Sequence, residues 1–281
     1  MGSRASFELE VLKNMRDLMG AYLRKGEQYD KFRPEVPSVL IDSLARLCRV
    51  QCPDVVDLGC GTGLSTFPWT RVGKSVVGIE PLQDMICIAR RKANLYKKYD
   101  MRFIERGSDD TGLVDGCADI VTASSCLHWL PLKSTKTEIV RILRPNGIFA
   151  YFGPYKIPLT PYLTVDEAFG RIDQEIMRWA EDENRIPAKL SYEVIRQEYL
   201  SGLDFDIQRV FYLHQEVLWS SDDYLGYVLS RGRLVEWVGE HGFPMRKGWA
   251  DFCELVHSNF REDGRIPCVF TYKVHVLRKK A

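Results

Sequence analysis

The sequence predicts a doubly wound α/β fold built on a mostly parallel seven-stranded sheet, with an antiparallel last strand and a mainly helical cap. Between residues 55 and 152, five short apolar segments alternate with helical patterns, as in parallel sheets whose two faces are covered by helices. Three glycines at every second position follow the first segment, at the turn where such sheets bind ligands. The last apolar segment alternates in polarity, as an antiparallel strand does.

The first half of the chain contains the regular alternation of strands and helices. Apolar residues spaced by three and four predict a helix over 7–23, and Pro37 suits the first turn of a second helix that ends near residue 47. Strands are expected at 55–58, 75–79, 101–105, 119–123 and 147–152. Helices are expected at 62–71 and 83–96, and a third should end near 144–147.

The second half adds helices and two further strands. Strand patterns occur at 206–219 and 267–277, and helical patterns at 222–230, 234–243 and 249–260. We expect 267–277 to be the antiparallel edge strand, with His275 exposed because it alternates with Val274 and Val276. The predicted organisation is N-terminal helices over 1–50, a ligand-binding half over 51–154, a helical cap over 155–205, and C-terminal strands and helices over 206–281.

Composition and charge argue against several classes of protein. The 281 residues carry a formal net charge of +1, with no basic face suited to nucleic acid. No apolar run approaches the roughly 18 residues of a membrane helix. The eight cysteines include no CxxC pair, which favours reduced thiols and a cytoplasmic location, and the histidines lack metal-ligand spacing. We expect a small-molecule substrate, no nucleic-acid or membrane partner, no metal, and a monomer or weak homo-oligomer.

The segment VVDLGCGTGLS, residues 55–65, carries the clearest ligand signal. A dinucleotide fingerprint beginning at Gly59 would require a third glycine at the position that Leu64 occupies. A P-loop is excluded because no Gly-Lys-Ser or Gly-Lys-Thr follows. Glu80 ends the second strand, where an acid can accept both hydroxyls of a ribose. The pattern therefore points away from a pyrophosphate ligand, with an ordinary packing turn as the alternative.

Five segments in order resemble the class I S-adenosylmethionine-dependent methyltransferases: VVDLGCGTGLS, VVGIEP, GSDD, ADIVTASSCLHWL and EIVRILRPNGIFAYFG. The chain resembles in particular the small-molecule branch that includes the trans-aconitate methyltransferases, because YDKFRPEVP and VLWSSDDYLGYVLSRGR extend the likeness from Tyr29 to Leu277. The resemblance implies a Rossmann-like methyltransferase fold that uses S-adenosylmethionine and releases S-adenosylhomocysteine. It also implies methyl transfer to an oxygen, carboxylate or hydroxyl, or to a nitrogen of a small metabolite.

The resemblance implies roles for residues near the methionyl end of that cofactor. Asp57 would take the ammonium, directly or through water. Tyr29 and Arg33 would lie near the carboxylate, which a planar guanidinium binds with two charge-assisted hydrogen bonds. A surface tyrosine and a helix-entry arginine are the alternatives for this pair. The loop that would approach the methionyl backbone consists of Gly59, Cys60 and Gly61.

The adenosine end is implied to contact four further residues. Glu80 would bind the ribose diol, and Pro81 would lie by the adenine. Asp109 would face the adenine amino group. Met85 would pack on the ring, although ordinary core packing is the alternative for a methionine at helical spacing.

The tail of the fourth strand, SSCLHW, should form the floor of the pocket where the methyl group is transferred. It includes the cofactor-site residue Ser125, and His128 acts there as a general base or as an orienting residue beside Trp129. A carboxylate acceptor would need no base, since it is already an anion at neutral pH. Arg231 and Arg233 could bind an anionic substrate, or could simply be solvated. The candidate substrate contacts are Tyr22, Trp129, Tyr155 and Trp219.

Two other functions compete with methylation of a free metabolite. The first is O-methylation of an acyl group on a carrier protein, which predicts a basic entrance patch. The second is a methyltransferase fold kept as a non-catalytic binding protein, which predicts erosion of Asp57, the glycines or Glu80. None of these positions is eroded.

Overall fold

The computed structural model describes residues 26–97, 99–182, 192–200, 204–231, 243–260 and 264–281. The helices predicted at 7–23 and 234–243 lie outside, or almost outside, the described residues. The chain divides into two compact units, and the segment predicted as a cap is shared between them. The sheet unit comprises Pro34–Gly153, Lys189–Leu213 and Tyr272–Ala281. The helical unit comprises Met1–Arg33, Pro154–Ala188 and His214–Thr271.

A seven-stranded sheet has the order β3-β2-β1-β4-β5-β7-β6. The pairs β1–β2, β1–β4, β2–β3 and β4–β5 are parallel. Cross-strand contacts show that β7 is antiparallel to β6, because Lys280 lies beside Asp204 while Thr271 lies beside His214. The strands are β1 (Asp54–Leu58), β2 (Ser75–Ile79), β3 (Asp100–Ile104), β4 (Ala118–Ser124), β5 (Leu143–Pro154), β6 (Phe205–Trp219) and β7 (Ile266–Lys279).

One described α-helix precedes the first strand of the sheet unit, and the other described α-helices connect strands or belong to the helical unit. A 3₁₀ turn at Asn94–Tyr96 extends the helix that follows β2, and another 3₁₀ turn at Leu127–Trp129 follows β4. None of the described helices is both long and apolar enough to cross a lipid bilayer. The helices are α1 (Gly26–Phe32), α2 (Ser38–Cys48), α3 (Gln83–Ala93), α4 (Leu132–Ile142), α5 (Leu163–Asp182), α6 (Tyr192–Leu200), α7 (Ser221–Leu229) and α8 (Phe243–Asn259).

The core of the sheet unit explains why the central strands were readable from sequence. Strand β4 is buried from Ala118 to Ala123, and β1 is buried from Val55 to Leu58. Apolar residues on both faces of a parallel strand pack against covering helices, so the strand reads as one continuous apolar run. The mostly parallel α/β fold predicted from sequence is confirmed.

The predicted helix over 62–71 is wrong in extent, because only a 3₁₀ helix at Phe67–Arg71 forms there. Gly63 has a φ of 91°, which no helix can continue through. The hydroxyls of Ser65 and Thr66 both bond a side chain of β1 and hold the chain in successive turns. Local side-chain bonds thus compete with helix formation until residue 67.

Two expectations for the last strand are also wrong. β7 lies between β5 and β6, so β6 is the edge strand. His275 is only 4% exposed, and its ring stacks on Tyr151 of β5 with centroids 4.5 Å apart. The four residues from Val274 to Leu277 are all buried, so both faces of the strand are covered there and alternation fails.

Candidate functional site

Three neighbouring parallel strands bring the predicted cofactor residues of the sheet unit together. Asp57 lies on β1, Glu80 follows β2, and Ser125 follows β4. Since β1 pairs with both β2 and β4, the carboxyl ends of all three strands meet at one edge of the sheet. Open α/β sheets bind their ligands at this edge.

Asp57 is fully buried and serves as the anchor of the glycine loop. Its Oδ2 accepts hydrogen bonds from Ser65 Oγ and Thr66 Oγ1, each at 2.7 Å. Its Oδ1 accepts one from Thr122 Oγ1 on β4, also at 2.7 Å. Burial raises the pKa of this carboxyl, and the three hydroxyl donors oppose that effect. Sequence reasoning missed these donors; their only signal is a group of hydroxyl residues beside the motif acid.

Glu80 connects the end of β2 to the same loop. Its Oε2 accepts the backbone N–H of Gly61 at 2.9 Å, and its Oε1 accepts that of Leu82 at 2.9 Å. Burial raises the pKa of Glu80, the two backbone hydrogen bonds lower it, and the net direction is upward. Each carboxylate oxygen has a second lone pair, so the group retains the capacity to accept hydroxyl donors.

Gly59 and Gly61 differ in the space that surrounds them. A Cβ on Gly59 would lie 2.7 Å from the Sγ of Cys126, so β4 excludes any side chain there. Gly61 has a φ of 55°, and a Cβ on it would meet no described residue within 4 Å. Among the described residues, the loop therefore leaves its backbone at Gly61 uncovered, as required for a ligand that approaches closely.

The tail of β4 passes directly under the loop. Ser125 is exposed and has a φ of 55°, a left-handed conformation that is uncommon outside glycine and clusters at functional sites. Cys126 donates its Sγ hydrogen to the carbonyl of Leu58 at 3.1 Å. His128 and Trp129 are half-buried, with ring centroids 4.6 Å apart. The tail thus brings the predicted Ser125, His128 and Trp129 into one short turn.

The remaining predicted residues of the sheet unit differ in how they could contact a ligand. The side chain of Cys60 is buried with Phe67 and Phe103, so only the backbone of Cys60 could contact a ligand. Met85 is also buried, which suits the core-packing alternative as well as an adenine contact. Pro81 and Asp109 are exposed.

In the helical unit, three predicted residues lie around Tyr227. Tyr227 itself was not predicted from the sequence. Arg33 donates from Nε to Ser230 Oγ at 2.8 Å, and its guanidinium lies over the rings of Tyr29 and Tyr227, 5.2 and 5.0 Å from their centroids. The Trp219 ring lies 5.2 Å from that of Tyr227. The signal was present in the segment 217–233, which carries part of the family resemblance.

Other predicted substrate residues contribute less to this arrangement. Tyr155 is 43% exposed, with Lys156 over its ring. Arg231 donates to Asp173 at 2.5 Å and lies over Phe169, so a neighbouring acid already engages this cation. Tyr22 and Arg233 lie outside the described residues. Within the described ranges, His, Cys, Asp and Glu form no group of three or more that could hold a metal ion.

A family model described as "Methyltransferase domain" matches residues 56–151, which include the loop, Glu80 and the tail of β4. Residues 56–151 of the chain are thus similar to a methyltransferase domain. The matched residues span β1 to β5 and include the candidate site at the carboxyl ends of β1, β2 and β4.

Three relatives each match slightly less than half of the chain. The "probable S-adenosylmethionine-dependent methyltransferase CRG1" of Saccharomyces cerevisiae is 32% identical over 47% of this chain and 47% of its own length. The malonyl-[acyl-carrier protein] O-methyltransferase of Pectobacterium atrosepticum is 30% identical over 49% and 53%, respectively. The trans-aconitate 2-methyltransferase of an Azoarcus species is 32% identical over 44% and 48%. The chain spans about half the length of these relatives.

A solved structure from Anaeromyxobacter dehalogenans, provisionally described as a type II methyltransferase, shares the fold. It superposes with a TM-score of 0.68 at 21% identity and covers 89% of this chain and 97% of its own. At this identity the likeness concerns the fold alone, and it extends well beyond the 56–151 domain.

Proposed function

We propose that the protein is an S-adenosylmethionine-dependent methyltransferase that transfers a methyl group to a small metabolite. The observation that carries the proposal is the carboxylate of Glu80, whose two oxygens accept the backbone N–H groups of Gly61 and Leu82 and each have a second lone pair that can accept a further donor. An acid fixed beside a bare glycine backbone suits a ligand with a ribose diol and no phosphate. The methyltransferase domain and the name of the yeast relative support the same cofactor.

The residues present fit S-adenosylmethionine, whose bound sulfonium would supply an electrophilic methyl group. Glu80 would accept the ribose hydroxyls, and the open backbone at Gly61 would admit the methionyl portion. Asp57 would attract the ammonium while its hydroxyl partners hold the loop. Asp109 would accept from the adenine amino group, and Ser125 would bound the pocket at the tail of β4. Residues of the sheet unit proposed to complete the cofactor site are Gly59, Cys60, Pro81 and Met85.

The acceptor that we favour is a carboxylate. Aconitate and the malonyl group, named for two of the relatives, both carry carboxylates, and a carboxylate attacks a methyl group as an anion without a general base. The protein would then need to align the acceptor and exclude water, and His128 beside Trp129 would act as an orienting residue. In the helical unit, Tyr29 and Arg33 keep their proposed role toward a carboxylate of the cofactor, and Ser230 holds Arg33 with its guanidinium over the rings of Tyr29 and Tyr227.

A second candidate is O-methylation of an acyl group bound to a carrier protein. The Pectobacterium relative is named for such a substrate, which is the observation that favours it. Acceptance of a carrier-bound malonyl group, with no methylation of free dicarboxylates and tricarboxylates, would select this candidate.

Cofactor binding is the first test. Isothermal titration should show binding of both S-adenosylmethionine and S-adenosylhomocysteine, and Glu80→Ala should weaken it by about 1 to 3 kcal/mol through the ribose bonds left unmade. Glu105→Ala is the matched control, since Glu105 follows β3 with an exposed side chain paired to Arg90 at 3.6 Å. Loss of affinity in both variants, or in neither, would mean that Glu80 does not bind the ribose.

The acceptor is identified by incubating the protein with methyl-labelled S-adenosylmethionine and metabolite extracts fractionated by charge. Label should enter an anionic fraction and be released by mild base, as expected for a methyl ester. Label that resists base would indicate a nitrogen or hydroxyl acceptor. Absence of transfer in every fraction, despite cofactor binding, would favour the non-catalytic alternative.

A further inference from the structure

The segment 107–112, which follows β3 in the sheet unit, places its side chains in two opposite directions. Ser108 and Thr111 are 4% and 0% exposed, whereas Asp109 is exposed. Asp109 folds back over Gly107, where a Cβ would lie 2.7 Å from its Oδ1. Asp109, the proposed adenine contact, therefore lies between two buried residues of a tight turn.

Both buried residues bond one face of helix α4. Ser108 Oγ and Thr135 Oγ1 lie 2.8 Å apart. Glu138 Oε1 accepts the backbone N–H of Thr111 at 2.9 Å and its hydroxyl at 2.5 Å. Residues three apart on a helix share a face, so α4 holds the segment at two points on either side of Asp109.

Glu138 is itself held as a buried anion. Arg141 donates from Nη2 to its Oε1 at 2.7 Å and from Nε to its Oε2 at 2.8 Å. Arg141 also donates to the exposed Asp115 at 2.6 Å. A bidentate guanidinium fixes the orientation of a carboxylate, so the oxygen that faces Thr111 has little freedom to rotate. Sequence reasoning missed this network, whose only signal is the spacing of Thr135, Glu138 and Arg141.

We propose that Glu138 is a positioning residue for recognition of the adenine amino group, acting through Thr111 to hold Asp109. The proposal rests on the proposed function, in which Asp109 faces that amino group. Recognition of a single donor requires its acceptor to be held within about half an ångström. A segment released from α4 would still accommodate a purine, but it would no longer distinguish an amino group from a carbonyl oxygen.

The test compares two ligands that differ at this edge of the base, where deamination replaces the amino group with a carbonyl oxygen and puts a hydrogen on the adjacent N1. Calorimetry gives the dissociation constants of S-adenosylhomocysteine and of its deaminated analogue S-inosylhomocysteine. Wild type should prefer the adenosyl ligand, and Glu138→Ala should reduce that preference about tenfold, or about 1.4 kcal/mol, by weakening the adenosyl ligand alone. Glu138→Gln keeps an acceptor oxygen for Thr111 and should recover most of the preference.

Further variants separate positioning from folding. Thr111→Val removes one of the two bonds to Glu138 without loss of volume and should give an intermediate preference; it carries the test if Glu138→Ala does not fold. Asp115→Asn, which removes only the exposed partner of Arg141, should keep the wild-type preference. An equal loss of affinity for both ligands in Glu138→Ala, or an unchanged preference in Thr111→Val, would overturn the proposal. If wild type binds neither ligand, the proposed function itself fails.

Discussion

Replacement of Asp57 by asparagine should separate the stability of the loop from its affinity for the cofactor. The side chain is fully buried and accepts three hydroxyl hydrogen bonds, each at 2.7 Å. Asparagine keeps the volume and one carbonyl oxygen, and hydroxyls can rotate to accept from its amide hydrogens. What it removes is the negative charge proposed to attract the cofactor ammonium.

The expected changes in stability and in affinity have different sizes. Burial raises the pKa of Asp57, so its stabilising contribution is present below the ordinary pKa of 3.8 and is lost as the pH rises through the raised pKa. At pH 7 the charge is therefore an energetic cost, and Asp57→Asn should lie within about 1 kcal/mol of wild-type stability. Asp57→Ala, which abandons three hydrogen bonds, should lose about 3 kcal/mol. Asparagine should weaken S-adenosylmethionine binding about tenfold.

Urea denaturation and isothermal titration at pH 7 measure the two quantities, with Asp54→Asn as the matched control on the same strand. Asp54 accepts from Ser75 at 2.7 Å and pairs with Arg144 at 2.9 Å, at the opposite end of β1 from the loop. Its loss should cost about 1 kcal/mol of stability and leave cofactor affinity unchanged. Undiminished affinity in Asp57→Asn would refute the ammonium contact, and a stability loss as large as that of alanine would refute the account of the buried charge.

Three further outcomes are expected. Gly61→Ala should fold at a cost of about 1 kcal/mol for its left-handed φ yet lose cofactor affinity by calorimetry, whereas Gly63→Ala should lower the thermal midpoint further because its Cβ collides with the Phe67 ring. With a carboxylate acceptor, His128→Ala should keep kcat within about tenfold across the pH profile; a loss of about a hundredfold or more would identify a general base. Burial raises the pKa of Glu138, but hydrogen bonds from Arg141 and Thr111 outweigh this effect and lower the pKa from 4.5 to about 2. Wild type should therefore be more stable than Glu138→Gln by up to about 3 kcal/mol at pH values above 5. In urea titrations this difference should disappear as the pH falls from 5 towards 2.

The strands were predictable because their burial is continuous and local in sequence. β2 and β4 each read as an apolar run that ends at an acid or a serine, and β1 reads as an apolar run with Asp57 before its last residue. The structure extends these three strands by no more than a residue at either end. The prediction of a helix over 62–71 is wrong because a tertiary hydrogen bond competes with helix formation. Thr66 bonds Asp57, nine residues away, and neither propensity nor apolar spacing registers such a bond.

The prediction that His275 is exposed is wrong for a related reason. Alternation in β7 holds up to Lys273 and then stops, because both faces of the strand are buried from Val274 to Leu277. The position of a strand in its sheet is set by pairing partners far away in sequence. Tyr151, on which His275 stacks, is 124 residues away, so no local pattern could have indicated the contact.

The motif located the candidate site, but it did not show how that site is held together. Asp57 and Glu80 were chosen for what they would offer a ligand, yet in the protein each already accepts hydrogen bonds from the loop or its surroundings. Thr122, 65 residues from Asp57, supplies one of these bonds. The roles of such residues toward the protein depend on strand pairing, which a linear motif does not encode.

The hydrogen bond between Gly61 and Glu80 limits which ligands the loop could bind. A Gly61 amide already bonded to Glu80 cannot also donate to a phosphate, so this loop lacks a donor that a pyrophosphate cradle would use. The same bond holds the backbone in its left-handed turn before any ligand arrives, which lowers the ordering cost of binding. Removal of Glu80 should therefore weaken S-adenosylmethionine more than it weakens a ribose-free fragment such as methionine, while both lose some affinity. An equal loss for the two ligands would mean that the acid only shapes the loop and makes no bond to the ribose.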